Sequence, residues 1–235
     1  ATPDGVRHTA MQIVNVMETG SVGNYGALND YDSGIISYGQ HQATLASGNL
    51  ETLLDTYLAA SNTAEAAALR PFMARVRQRD ASLRNDVAFK AALRAAGNDP
   101  AMQAAQDSSI IQSHYNPAVG RANSYNITSP LGITMLYDTN IQGGLSSCLS
   151  SARSAVGGLP GTNGITEQAF LQAFNDARRA RLTRLGNDQS RSAADRRALL
   201  ASRYRCDEFD RLLAAGNLDL TGPLAMFSAA NHAAG

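Results

Sequence analysis

The chain is predicted to be mainly helical with one small β-hairpin, and three observations carry that prediction. Apolar residues recur at three- and four-residue spacing over most of the length, the pattern of helices with one buried stripe. Helix-start signals punctuate the chain, notably Asp99-Pro100 and Ser129-Pro130, each a capping side chain followed by proline at the first helical position. The single segment that breaks the pattern, residues 20–42, is rich in Gly, Asn and Asp and then mixes β-branched with polar residues. With 235 residues, 44% of them apolar, the chain is long enough to bury a full core and reads as one compact protein of one or two lobes.

In order, Val6, Ala10, Ile13, Val14 and Met17 share one face of a first helix, with Asp4 as its expected N-cap and Thr19-Gly20 as its stop. A turn-rich acidic loop follows, holding Asn29, Asp30, Asp32 and Gly34, and then Ile35 to Gln42 reads as one or two short strands. Leu50, Leu53, Leu54, Tyr57 and Leu58 give the next helix its apolar face. A helix over 63–78 must be kinked or divided by Pro71. Another follows Asp80, and Asp99-Pro100 starts one that runs toward His114. The helix opened by Ser129-Pro130 presents Leu131, Met135 and Leu136 inward, with Asp138 near its end. Gly157 to Gly164 is the most loop-like stretch. Thr166 caps a long helix, and Ser192-x-x-Asp195 resembles a capping box for a last long helix reaching Ala214.

Composition excludes several classes. Formal net charge is zero, no run of eighteen apolar residues supports a membrane span, and no Cys/His metal spacing, phosphate loop or nucleophile elbow is present, so no cofactor or metal is expected. The first sixty residues hold six acids, among them Asp4, Glu18, Asp30, Asp32, Glu51 and Asp55, against Arg7 alone, a balance that attracts a polycation. The Arg-rich region after Asp176 interleaves Asp and Glu, which reads as internal pairing rather than a nucleic-acid surface. The single lysine, Lys90, carries no functional signal. The start at Ala-Thr-Pro-Asp reads as a mature secreted form, and the even pair Cys148 and Cys206 then suggests one disulfide.

The chemistry concentrates between Met11 and Leu50. Glu18 lies in the last turn of the first helix, facing the negative end of the dipole, which disfavours its ionised form and suits a proton donor. A second carboxylate on the polar loop, beside a short strand, completes the pair that glycoside hydrolysis requires. The alternative for both is ordinary: a solvated Glu at a helix end and Asp as a turn former. With no Trp in the chain, sugar stacking falls to tyrosines, and Tyr25, Tyr31 and Tyr38 are placed for it.

The pattern Ala10-Met11-x-x-Val14-x-x-x-Glu18 resembles the segment bearing the general acid in glycoside hydrolase family 46, the chitosanases of the lysozyme-like superfamily. Asp32-x-x-x-x-Ser37-x-Gly39, followed after seven residues by Ser47-Gly48-Asn49-Leu50, resembles the segment with the general base, a water-positioning hydroxyl and a sugar-binding acid. Further likeness returns in family order at Tyr115-x-Pro117-Ala118, at Ser129-Pro130-Leu131-Gly132 through Tyr137-Asp138, at Asp176-Ala177-Arg178, and from Ala215 to Leu220 with Pro223-Leu224.

The resemblance implies a mainly α (α+β), two-lobed lysozyme-like fold with a small β-hairpin beside the catalytic cleft, residues 1–235 forming one catalytic domain. It implies a secreted, monomeric, endo-acting and inverting hydrolase of β-1,4 linkages in chitosan or a related amino-sugar polymer. Glu18 is then the acid, Asp32 the base and Ser37 the water-orienting hydroxyl, with the carboxyls roughly 6.5 to 9.5 Å apart as inversion requires. Asn49, Tyr25, Tyr38 and Asp30 are the expected substrate-binding residues, Asp30 also being a rival for the base. Asp138, Arg178 and Arg203 are the expected network behind the acid, with Arg205 an alternative to Arg203. The loop between Glu18 and Asp32 is about four residues shorter than the family's, and Asn49 stands where the family has an Asp that grips a glucosamine ammonium. Two other readings remain open: a peptidoglycan hydrolase akin to muramidases or lytic transglycosylases, and a non-catalytic sugar-binding homologue.

Overall fold

A computed structural model describes residues 2–31 and 33–229 of the chain. Its Cα atoms cluster into two compact units, one of residues 1–22 with 112–235 and the other of residues 23–111.

The first unit is helical throughout its regular structure. Helix α1, Pro3–Thr19, is capped by Thr2, whose hydroxyl accepts from the Gly5 amide, with Pro3 at the first position. Thr2 therefore takes the role expected of Asp4, because proline needs no amide partner and Asp4 already lies inside the first turn. Gly20 ends the helix at φ 80°, its amide donating to Val16 O, a left-handed cap that glycine enters at no steric cost. Helix α7 spans Asn116–Ser124, α8 Pro130–Gln142, α9 Leu145–Val156, α10 Glu167–Gly186, α11 Ala193–Ala201 and α12 Tyr204–Ala214. Ser129 and Thr166 cap α8 and α10 as their sequence signals predict.

The expected last long helix is two helices. Ser192 does cap the first of them, but the chain breaks at Ser202–Arg203. Residues 193–201 bury nothing fully, whereas α12 turns Arg205, Cys206, Phe209, Leu212 and Leu213 inward. One straight helix would not serve both the surface run and this buried face. The core of this unit gathers Val14, Met17, Leu131, Met135, Leu136, Phe170, Phe174 and Phe209.

The unit of residues 23–111 combines short helices with a small sheet. Strands β1 Leu28–Asn29, β2 Ser37–Tyr38 and β3 Ala43–Thr44 are antiparallel in the order β1-β2-β3, pairing Leu28 with Tyr38 and Ser37 with Thr44. Only β2 lies within the stretch 35–42 that reads as strand; β1 falls in what reads as loop, and β3 lies just beyond the stretch. Helix α2, Asn49–Ala60, buries the five residues predicted for its apolar face. Pro71 divides the next helical run into α3, Ala64–Leu69, a 3₁₀ turn Arg70–Phe72, and α4, Met73–Arg77. Helices α5, Val87–Ala96, and α6, Pro100–Ile110, complete the unit. Its core includes Leu50, Leu54, Tyr57, Leu69, Val76, Phe89, Leu93 and Met102.

Asp99 shows how α6 is anchored. One carboxylate oxygen caps the Ala101 amide and the other accepts from Tyr57, Ser61 and Thr63 at 2.7, 2.8 and 2.7 Å. Burial raises this carboxyl's pKa, yet the four donors outweigh it and hold it low, at about 2.

Among the described residues no helix is long and apolar enough to cross a membrane, and no group of three or more His, Cys, Asp or Glu is placed to hold a metal ion. Cys148 on α9 and Cys206 on α12 are free, buried thiols, so the expected disulfide is absent. Both α9 and α12 pack on α10, and each cysteine is buried against that helix as a small apolar side chain. Burial raises both thiols, Cys206 to about 11, which keeps them protonated and unreactive.

Candidate active site

Within the first unit, Glu18 sits near the C-terminus of α1 with its side chain 40% exposed. The dipole is not its only neighbour. The Arg205 guanidinium, delivered by α12, stands 3.5 Å from Oε1 of Glu18 and also grips Oδ1 of Asp138. Asp138, on α8, is fully buried, and its other oxygen faces Nη1 of Arg178 at 2.7 Å. Arg178, on α10, donates in turn to Gln142 Oε1 at 2.6 Å. Four helices therefore meet in one chain of charges that ends on a single exposed carboxyl. Burial works against the charge on Arg205, but Asp138, Tyr204 and Glu18 more than offset it, so the guanidinium stays cationic. The Tyr204 hydroxyl, next in sequence, donates to the Met17 carbonyl and ties α12 to the last turn of α1.

Within the other unit, Ser37 lies on the central strand, 2% exposed. Asp30 is bound by Lys90, whose Nζ donates to Oδ2 at 2.8 Å. That hydrogen bond holds the Asp30 carboxyl below the usual carboxylate range. This pairing weakens Asp30 as a rival base, because a carboxylate neutralised by an ammonium is a poorer proton acceptor. The one lysine of the chain does have a role, as this partner. Asp32, the expected base, lies outside the described residues.

A groove of about 400 Å³ opens in this unit, lined by Tyr38, His41, Ala43, Asn49, Thr52, Leu53, Thr56, Ala105, Gln106, Ser108 and Ser109. Asn49, the first residue of α2, is exposed on its wall. Tyr38 is not a stacking platform. Its ring is fully buried under the groove as part of the core of this unit, and burial pushes its phenol upward. Tyr25 is half-buried with its hydroxyl committed, donating to Oδ2 of Asp107 at 2.6 Å. Tyr31, 85% exposed, is the tyrosine of the three left open to solvent.

The wall of the groove is fixed by α6. Gln106 accepts from the Gln40 amide and donates to the Tyr25 carbonyl, both at 2.8 Å, joining two loop segments through one side chain. Gly39 permits this approach: a Cβ there would lie 2.5 Å from Gln106 Oε1, and the backbone has φ 82°. Asp107, 5% exposed, binds His41 Nε2 at 2.9 Å besides Tyr25.

A family model of glycosyl hydrolase family 46 matches residues 12–224. The chain belongs to glycosyl hydrolase family 46. It is a glycoside hydrolase with the family's lysozyme-like fold. A curated chitosanase of Bacillus subtilis (strain 168) is 25% identical over 228 residues, which is 93% of this chain and 80% of that protein. Two solved structures share 25% identity and a TM-score of 0.57, each covering 95% of this chain and 94% of its own. They are a family 46 chitosanase of Gynuella sunshinyii in complex with chitotetraose and a native chitosanase of Bacillus subtilis MY002.

In this family 46 chain the arginine behind Glu18 is Arg205 rather than Arg203. Arg203 points elsewhere, donating to the Leu200 carbonyl at 3.1 Å and the Thr183 hydroxyl at 3.4 Å. The choice between them turned on helix phase, and the break before α12 sets that phase. Sequence reasoning missed His41, Gln106 and Asp107 altogether. The available signal was two consecutive polar residues, Gln106-Asp107, occupying core positions of an amphipathic helix beside Met102.

Proposed function

We propose that this family 46 enzyme hydrolyses β-1,4 linkages within chitosan with inversion of the anomeric carbon. Glu18 gives its proton to the leaving glycosidic oxygen, Asp32 takes a proton from water, and that water attacks the anomeric carbon from the opposite face as the bond breaks. Ser37 orients the water. The observation that carries the reading is Glu18 itself, an exposed carboxyl at a helix end with a rigid cation behind it, Arg205 clamped on buried Asp138. Such backing limits the positions the acid can take, which is what proton transfer in a fixed geometry demands. The relatives named chitosanases, one of them solved with chitotetraose, support the substrate. Asp32 rests on its place in the family segment, five residues before Ser37. Since chitosan is too large to enter a cell, the site of action is extracellular, and activity in the culture medium checks this.

Proton NMR of the first products from chitosan decides the stereochemistry: α-anomers are expected, and β-anomers would end the inversion reading. Glu18→Gln keeps the shape and removes the proton, so turnover should fall about 10²- to 10⁴-fold with folding unchanged. Near-normal turnover in that variant removes Glu18 from the mechanism.

A further inference from the structure

We propose that the groove formed by β2, β3, α2 and α6 is a subsite for an N-acetylated glucosamine unit, with Asn49 and His41 as the residues that set the preference. The proposal rests on the chitosan reading above for its source, which we take to be partly acetylated chitosan, and on the groove alone for its chemistry.

Among the described residues that line the groove there is no carboxylate. The polar groups are an amide (Asn49), an imidazole (His41) and the hydroxyls of Thr52, Thr56, Ser108 and Ser109, with Gln106 behind them. Of the acids on neighbouring elements, Asp55 pairs with Arg77 at 2.9 Å and Asp30 with Lys90, and Glu51, two residues after Asn49, is not among the residues that line the groove. Asp107 stands behind His41 with one oxygen on the imidazole and the other on the Tyr25 hydroxyl. An ammonium entering this groove would lose water and meet no carboxylate among the described lining residues, a costly exchange for a charged group.

An acetamido group meets what it needs. Thr52, Thr56 and Ser108 donate their hydroxyl protons to the backbone carbonyls of Gly48, Thr52 and Ala105, so their lone pairs are what they offer outward, as acceptors for N–H and O–H of a sugar. The Asn49 amide can both donate to the acetyl carbonyl and accept from the ring hydroxyls. Ala43, Leu53 and Ala105 supply apolar surface for the acetyl methyl. Beneath them lies the buried Tyr38 hydroxyl, beside Gln106, with no partner of hydrogen-bonding geometry among the described residues.

The test is binding of defined tetrasaccharides to the full chain carrying Glu18→Gln, so that cleavage is slow on the timescale of the measurement, followed by calorimetry and amide NMR. N-acetylglucosamine tetramer should bind at least as tightly as glucosamine tetramer and should shift amides of Ala43, Asn49 and Thr52. Asn49→Asp places an acid at the first turn of α2, where the helix dipole welcomes it, so folding is retained. That exchange should move the affinity ratio about tenfold toward the glucosamine tetramer. His41→Gln, which keeps a donor for Asp107, should weaken the acetylated tetramer alone. Tighter binding of the glucosamine tetramer to the unmodified groove, binding of neither tetramer, or a ratio unmoved by Asn49→Asp would overturn the proposal. Hydrolysis by the native chain separates this from the chitosan reading. Cleavage of chitosan with a preference for fully deacetylated chains sinks the groove and leaves the hydrolase; tight acetylated-tetramer binding with purified peptidoglycan cleaved and chitosan untouched sinks chitosan as the source.

Discussion

Glu18 is held from behind by a cluster of three charged side chains, whereas the loop of residues 39–44 is held by one amide, Gln106, and one carboxylate, Asp107. Around Glu18, two guanidiniums enclose one buried carboxylate, and their geometry is set by four helices. Around the loop, Gln106 and Asp107 reach residues 66 to 82 positions away in sequence through four hydrogen bonds. A buried ion cluster is unforgiving, because removing one member strands another charge, while a hydrogen-bonded staple loses only its own bonds. Glu18 has the stiffer support, and residues 39–44 the softer one.

The largest effect should come from breaking the charged support. Arg205→Met leaves Asp138 with Arg178 alone, and a loss of about 3 to 5 kcal/mol is expected, read as a fall in Tm of roughly 6 to 20 °C for a chain of this size. Arg205→Lys keeps a charge but cannot span Glu18 and Asp138 with one fork, so it should recover stability more than turnover. Equal recovery of both would make Arg205 a stabilising residue without a positioning role. Gln106→Ala comes next, at about 1 to 3 kcal/mol, from the unpaired Gln40 amide and Tyr25 carbonyl. Hydrogen exchange should quicken in residues 39–44 while α8 and α12 stay protected. Loss of protection in α12 as well would mean that the two supports are not separable.

The pH dependence sharpens the same contrast. Asp99 has a depressed carboxyl in the folded chain, so its contribution is fully present above the unfolded value near 4 and is lost as pH falls through about 2. Asp99→Asn should flatten urea stability over that window by about 1 to 2 kcal/mol relative to the native chain, and an unchanged slope would refute the assignment. The smallest effect is a null one: thiol titration of the unfolded, unreduced protein should find both Cys148 and Cys206, and reductant should leave Tm unchanged.

Local signals in the sequence were reliable where the cause is local. Asp99-Pro100, Ser129-Pro130, Thr166 and the break at Pro71 are all decided within four residues, and each appears as read. The apolar face of α2 follows from spacing alone. What spacing does not carry is the identity of distant partners. Arg203 and Arg205 differ by two residues, and only the break at Ser202–Arg203 decides which one turns inward. The commitment of Asp30 to Lys90, sixty residues away, and the burial of Tyr38 depend on tertiary packing that no short window contains. The expected disulfide that the structure lacks has the same origin, since an even count of cysteines says nothing about the helix on which both of their helices pack.

The close approach of Gln106 to Gly39 has a consequence for anyone who would re-engineer this enzyme. The loop does not own its shape; it borrows it from a helix more than sixty residues downstream. Grafting residues 39–44 into another scaffold without Gln106 and Asp107 would transplant the letters and leave the conformation behind, whereas moving loop and helix together would carry the groove intact.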